Sequence, residues 1–228
     1  MSNTGFASYF QFQNVDWGNI WAATLETLWM TVLSVVLVAI LGILLGLVLY
    51  QTKDSQKPII KVLNWVVSIF VNVFRSIPFI ILIVLLLPVT QVLVGAITGA
   101  KAAIPSLVIA AAPFYARLVQ IAFNEVDPGV LEAAQAMGAS NWQLIIKVLI
   151  PESLPALVSG ITVTAISLIG YTAMAGAIGA GGLGQLAYTD GFQSYNNAIT
   201  LSATVVIVLI VFLFQFLGDF AVKKIDKR

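Results

Sequence analysis

The sequence predicts an all-α, polytopic membrane protein of one domain with five spanning helices. Three observations carry that reading. Of 228 residues, 60% are hydrophobic and only 9% charged, mean hydropathy is +1.00, and the charges fall between uncharged runs of spanning length. A soluble domain is about half apolar and about a quarter charged, so this chain has too few charges to keep a surface polar. Lipid is the solvent for most of it. A net charge of +1 offers no footing for nucleic acid.

The chain contains no cysteine and no histidine. Disulfides, zinc clusters, thiol nucleophiles and histidine acid–base chemistry are therefore excluded, and no catalytic residue, metal ligand or cofactor is expected within it. The opening MSNTGFASYFQFQNVDWGN lacks the basic region and short apolar core of a cleavable signal peptide. Targeting is expected to rely on the first span.

A helix crossing the hydrocarbon needs about 20 mostly apolar residues. Thr27 to Thr52 is free of charge and forms the first span. Its Gly42 and Gly46 are either a seat for a closely packed neighbouring helix or two unrelated glycines. After a polar loop, Gln51 to Lys61, a second apolar region runs from Val62 to about Leu93. Arg75, Pro78 and Pro88 interrupt it, so it starts at the interface, tilts or kinks. Ala102 to about Phe123 is the third span and the weakest, being punctuated by Pro105 and Pro113. Ser153 to Thr189 is uncharged and holds a fourth span with a glycine-rich extension. The fifth runs from about Asn197 to Gly218.

Five spans put the termini on opposite sides. With the N-terminus outside, Lys53, Lys57, Lys61, Arg117, Lys147 and the tail residues Lys223, Lys224, Lys227 and Arg228 are cytoplasmic, and Lys101 alone is external. That bias is the one basic residues impose. The expected organisation is an extracellular segment 1–20, a transmembrane domain 21–222 and a basic cytoplasmic tail 223–228.

The segment between the third and fourth spans is the most informative. Asp127 followed by Pro128 is a helix start, with a capping carboxylate and a proline at the first helical position. Leu131 to Met137 are mostly strong helix formers, and Gly138 suits the left-handed position that closes a helix. Ser140 and Gln143 have the spacing of a capping box. Leu144, Ile145, Val148 and Leu149 share one apolar face, and Pro151 interrupts the helix or bends it into the next span. Two short helices joined at a glycine are predicted over 127–151.

This segment resembles the EAA motif of ABC-importer permeases. Glu132-Ala133-Ala134 and Gly138 match it by identity and spacing, and Val148-Leu149-Ile150-Pro151 completes it with aliphatic replacements. The resemblance extends to Arg75-Ser76-Ile77-Pro78-Phe79, Ala111 to Arg117, Gly170-Tyr171-Thr172-Ala173-Met174, Gly179 to Gln185 and Gln215 to Asp219. These look like the methionine-uptake permease subgroup, over roughly Arg75 to Asp219.

The resemblance implies a type I importer permease in the bacterial cytoplasmic membrane, carrying methionine, D-methionine or derivatives, or another amino acid. It implies a homodimer with the pathway between the two copies, two copies of a cytoplasmic ABC ATPase and an extracytoplasmic substrate-binding lipoprotein. Glu132, Ala133, Ala134, Gly138 and Pro151 would couple to the ATPase. Met174, with Tyr171, would face the two-fold axis as a gate; ordinary helix packing is the alternative for Met174. Arg75 either meets a substrate carboxylate or has a structural or interfacial role.

The chain has no G-x-x-x-x-G-K-[ST] phosphate loop and no Gly-Lys pair, so ATP hydrolysis is expected from a partner. Gly179 to Gly184 fits G-x-G-x-x-G, but it follows a membrane span rather than a strand. Flexible or closely packed backbone near the outer end of the fourth span is expected instead. An ion-coupled secondary transporter is disfavoured, because the interior of the predicted spans holds no Asp or Glu.

Overall fold

A computed structural model describes residues 5–226. Among them there is no strand, and five helices are long and apolar enough to cross a membrane. Helix α1 is Trp17–Thr52, α2 Pro58–Ser76, α3 Phe79–Leu85, α4 Leu87–Val94 and α5 Ala100–Asn124. Next come α6 (Pro128–Ala136) and α7 (Asn141–Leu144), then α8 (Ile150–Gly176), α9 (Gly182–Gln185) and α10 (Asn197–Ile225). Two short 3-10 turns, Phe6–Phe10 and Phe12–Asn14, precede α1.

Helix α1 begins ahead of the uncharged run, because Asp16 caps it by accepting from the Gly18 and Asn19 N–H groups at 2.9 and 3.1 Å. This start places Glu26 inside a spanning helix, which corrects the expectation that the spans hold no acidic residue. The fifth span likewise continues past Gly218, and Lys223 and Lys224 form its last turn. There their charge complements the helix C-terminal dipole. Tail residues Lys227 and Arg228 lie outside the described residues.

Helices α1 and α5 run parallel in close contact. A Cβ on Gly42 would meet Tyr115 Cδ1 at 2.5 Å, and one on Gly46 would meet Val119 Cβ at 2.6 Å and the Ala116 carbonyl at 2.7 Å. Further along, Tyr50 packs edge-on against Phe123 and Lys53 bonds Asn124. The two glycines are thus a packing seat. They belong to a longer buried seam of small residues, Thr27, Thr31, Ser34, Val38, Gly42 and Gly46, spaced by three or four so as to share one face.

The third span, punctuated by Pro105 and Pro113, is the centre of the bundle. Helix α5 is the most buried of the five and contacts α1, α2, α3, α4 and α8. A helix surrounded by others needs small residues rather than large apolar ones, and Ala110, Ala111, Ala112 and Ala116 supply them. Tyr115, 2% exposed, donates its hydroxyl to the Leu157 carbonyl on α8 at 3.1 Å. The helix continues through Pro105 and Pro113.

Of the three options for the second apolar region, the chain takes the kink. Ile77 is extended (φ −85°, ψ 124°) ahead of Pro78, as a residue before proline prefers. Pro88 then opens α4 at a second interruption. Ser76 Oγ donates to the Asn72 carbonyl at 2.8 Å, which occupies one of the acceptors exposed near the break.

Helix α8 runs back antiparallel to α5, and α10 antiparallel to α8, where Gly218 sits against Thr162. At one end of the bundle lie α6 and α7; at the other lie α9 and a π turn, Leu186–Gln193. Asn197 Nδ2 donates to Ser8 Oγ at 2.7 Å and ties the N-terminal turns to that second end.

Gly46→Leu is expected to weaken the α1–α5 seam by at least about 1–3 kcal/mol, since the backbone of Ala116 cannot yield to the added side chain. Gly170→Ala, whose Cβ meets nothing within 4 Å, is the control. Thermal unfolding in detergent should separate them, with a lower midpoint for the first variant alone.

Candidate functional site: a capped helical hairpin and an aromatic cavity

The 127–151 segment folds as its capping residues dictate. Asp127 accepts from the Gly129 N–H at 2.7 Å, and Pro128 opens α6. At the other end of α6 the Gly138 N–H donates to the Gln135 carbonyl at 2.9 Å and the Ala139 N–H to the Ala134 carbonyl at 3.1 Å. This is a Schellman closure, and Gly138 takes the required left-handed φ of +87°. Ser140 Oγ then accepts from the Gln143 N–H at 3.4 Å, while Gln143 Oε1 accepts from the Ser140 N–H at 2.9 Å. The hairpin is closed by side chains at both helix starts and by the glycine between them.

Pro151 neither breaks the second helix nor leaves it regular. Ile145–Leu149 is a π turn, closed by the Ile150 N–H donating five residues back to Ile145. Helix continues through it from Asn141 to Gly176. A wider turn suits the position, because a proline ring crowds the carbonyl four residues before it.

Leu144 and Leu149 are buried, and Ile145 and Val148 half-buried, so the predicted apolar face is the inward one. The E-A-A triplet divides: Ala134 packs inward, while Glu132 and Ala133 are exposed. Met137 and Trp142 are 84% and 68% exposed. A cavity of about 530 Å³ separates the hairpin from the last turns of α1, lined by Tyr50, Gln51, Leu131, Gln135 and Trp142 among others.

At the opposite end, Met174 lies near the end of α8 and is 47% exposed. The chain then turns at Gly179 and runs back along its own helix. A Cβ on Gly184 would meet Ala173 Cα at 2.4 Å, and one on Gly176 would meet Gln185 N at 2.2 Å. Successive amides of the glycine run are taken by side chains. The Gly181 N–H donates to Gln185 Oε1 at 2.8 Å, Gly182 N–H to Glu26 Oε2 at 2.8 Å and Leu183 N–H to Thr27 Oγ1 at 2.9 Å. Those donors are the ones a dinucleotide site would aim at phosphate; here they clamp α1 to the end of α8. Of the two readings of the run, close packing is the observed one.

Sequence reasoning missed Glu26 and Thr27 as partners of this loop. The signal available was the Asp16 cap, which starts α1 early enough to include them.

Arg75 and Tyr171, distant in sequence, line one cavity of about 230 Å³ together with Phe74, Ile77, Phe79, Ala110 and Phe114. Tyr171 stacks on Phe79, with ring centroids 4.5 Å apart and planes 10° from parallel. Met174 follows Tyr171 by one short turn of α8. Glu132, Ala133, Ala134 and Gly138, expected from the resemblance to couple to an ATPase, form a separate cluster at the far end of the bundle, with Pro151 on the helix that leads from it.

Residues 42–228 match the family described as "Binding-protein-dependent transport system inner membrane component". The methionine import system permease protein MetP of Bacillus subtilis is 59% identical over 217 residues, covering 95% of this chain and 98% of that protein. The probable D-methionine transport system permease protein MetI of Pasteurella multocida is 43% identical over 212 residues, covering 93% and 98%. A solved structure of the MetNI methionine ABC transporter, in inward-facing conformations, superposes with a TM-score of 0.88 at 44% identity, covering 92% of this chain and 97% of that one. The chain belongs to the family of binding-protein-dependent transport system inner membrane components.

Proposed function

We propose that this chain is the translocating subunit of an ATP-driven methionine importer, and that the 127–151 hairpin is where a separate ATPase pushes on it. The single observation that carries the reading is the hairpin itself. It is capped at every helix end, exposes Glu132, Ala133 and Met137, and is joined to α8 by helix without interruption. A displacement applied there travels along α8 as a rod to Tyr171 and Met174. The relatives named for methionine and D-methionine import support the choice of cargo.

In this reading the hairpin end is cytoplasmic and the α9 end external. The charges agree: Lys53, Lys57, Lys61 and Lys147, with Lys223 and Lys224, gather toward the hairpin end, and Lys101 stands at the other. The turns over 5–16 then lead into α1 from the external side, and the last turn of α10, with Lys223 and Lys224, is cytoplasmic. Two copies pair about an axis with the pathway between them. Two ATPase subunits sit below, and a substrate-binding lipoprotein delivers methionine from above.

Met174 and Tyr171 are assigned to the gate. A thioether side chain is unbranched and polarizable, so it closes an apolar constriction and repacks as a solute passes. Glu26, already accepting from Gly182, fixes the loop beside the gate. ATP is hydrolysed by the partner, and this chain receives the work as movement.

Two outcomes test the proposal. Gly138→Trp places a bulky side chain at a left-handed position on the exposed turn, so recovery of the ATPase with the tagged permease should fall at least about tenfold while membrane insertion is unchanged. Undiminished recovery would count against the docking role. Labelled methionine uptake by reconstituted vesicles should require a hydrolysis-competent partner; uptake by this chain alone under an ion gradient would replace the proposal with secondary transport.

A further inference from the structure

The cavity lined by Arg75 carries an exposed cation at its wall, on the last turn of α2, with no partner among the described residues. Among the described residues no carboxylate pairs with Arg75 and no hydrogen bond of its guanidinium is formed, although Arg117 on α5 donates to Gln120 at 2.7 Å. An ionisable group within a membrane protein is expensive unless it faces protein or water, and its usual context is a solute path. Ala110 and Phe114 on the cavity wall lie near the middle of the 25-residue α5, which puts the cavity at mid-depth in the bundle.

Three further features bear on what it would hold. The wall is aromatic, made by Phe74, Phe79, Phe114 and Tyr171, and a thioether gains favourable contacts with ring edges. The α2–α3 break adjoins it at Ile77. A broken helix leaves carbonyl oxygens of its last turn without intrahelical donors, and these are acceptors for an ammonium. The volume of about 230 Å³ is below the range of about 300–1,000 Å³ of drug-sized pockets and suits one free amino acid.

We propose that this cavity is an intramembrane way-station for the transported amino acid, in which Arg75 receives the α-carboxylate and the aromatic wall receives the apolar side chain. It rests on the transport function proposed above and adds a substrate contact within the membrane. Arg75 is then a specificity residue: it selects for a free carboxylate and rejects analogues that lack one. Tyr171 serves both cavity and gate, so an occupant leaning on its ring is sensed one turn from Met174.

The absence of native cysteine allows a direct test. Ala110→Cys, with Phe114→Cys as a second reporter on the same wall, puts one thiol in the cavity of the permease–ATPase complex in nanodiscs without nucleotide. Methionine should slow modification by a small thiosulfonate reagent about tenfold, as expected for a charge-assisted contact. Methioninol, which keeps the side chain and ammonium but lacks the carboxylate, should leave the rate unchanged. Arg75→Gln should abolish the protection, and Arg75→Lys should retain part of it. Equal labelling with and without methionine at both reporters, equal protection by methioninol, or protection that survives Arg75→Gln would overturn the proposal; the last would leave Arg75 as a cation capping the C-terminus of α2. Methionine uptake by the wild-type complex is measured in parallel. Uptake without protection removes the way-station alone, whereas no methionine uptake removes the parent reading.

Discussion

Hydrocarbon offers no hydrogen bonds, so each backbone N–H and C=O of a membrane-embedded chain must find its partner inside the protein. That constraint decides where this chain bends. Several departures from regular helix occur where other groups can satisfy the freed backbone or where the turn closes on itself. Glu26, Thr27 and Gln185 take the amides of the glycine run. The π turn before Pro151 closes by its own longer hydrogen bond. At the α2–α3 break Ser76 occupies a carbonyl and Tyr171 covers Phe79.

The same constraint shapes helix packing. Lipid supplies no hydrophobic drive between spans, so close approach through small residues must hold them together. The seam from Thr27 to Gly46 on α1 and the alanines of α5 are two halves of one solution. Their contact makes α1 and α5 a stiff parallel pair, and α8 joins it through the Tyr115 hydroxyl. Against that frame α8 has two different ends: a capped, exposed hairpin, and Met174 beside a clamped loop. A helix with one end exposed and the other beside a clamped loop is suited to transmit displacement, and a family of transport components that rely on a separate binding protein has need of such a part.

Local signals in the sequence read well because they act through the nearest few residues. Asp127, Pro128, Gly138, Ser140 and Gln143 each did in the structure what their chemistry requires, since a cap or a left-handed turn is settled within four or five positions. The second apolar region shows its interruptions in sequence but not its form: an extended Ile77 ahead of Pro78 gives the kink, and α3 beyond it packs against α5 and α8. Charge-free length alone starts α1 at Thr27 and leaves Glu26 outside it; the Asp16 cap marks the earlier start that includes it.

Composition, charge spacing and capping residues by themselves determined the solvent, the number of spans and the double-helical hairpin, because burial in lipid and helix termination are properties of short stretches. Tertiary structure alone decided that the proline-punctuated third span is the central one, that Glu26 holds Gly182 from 156 positions away, and that Arg75 shares a cavity with Tyr171. Those pairings depend on which helix faces come together, and helix faces are chosen by shape and small-residue fit across the whole bundle. No local pattern carries that information.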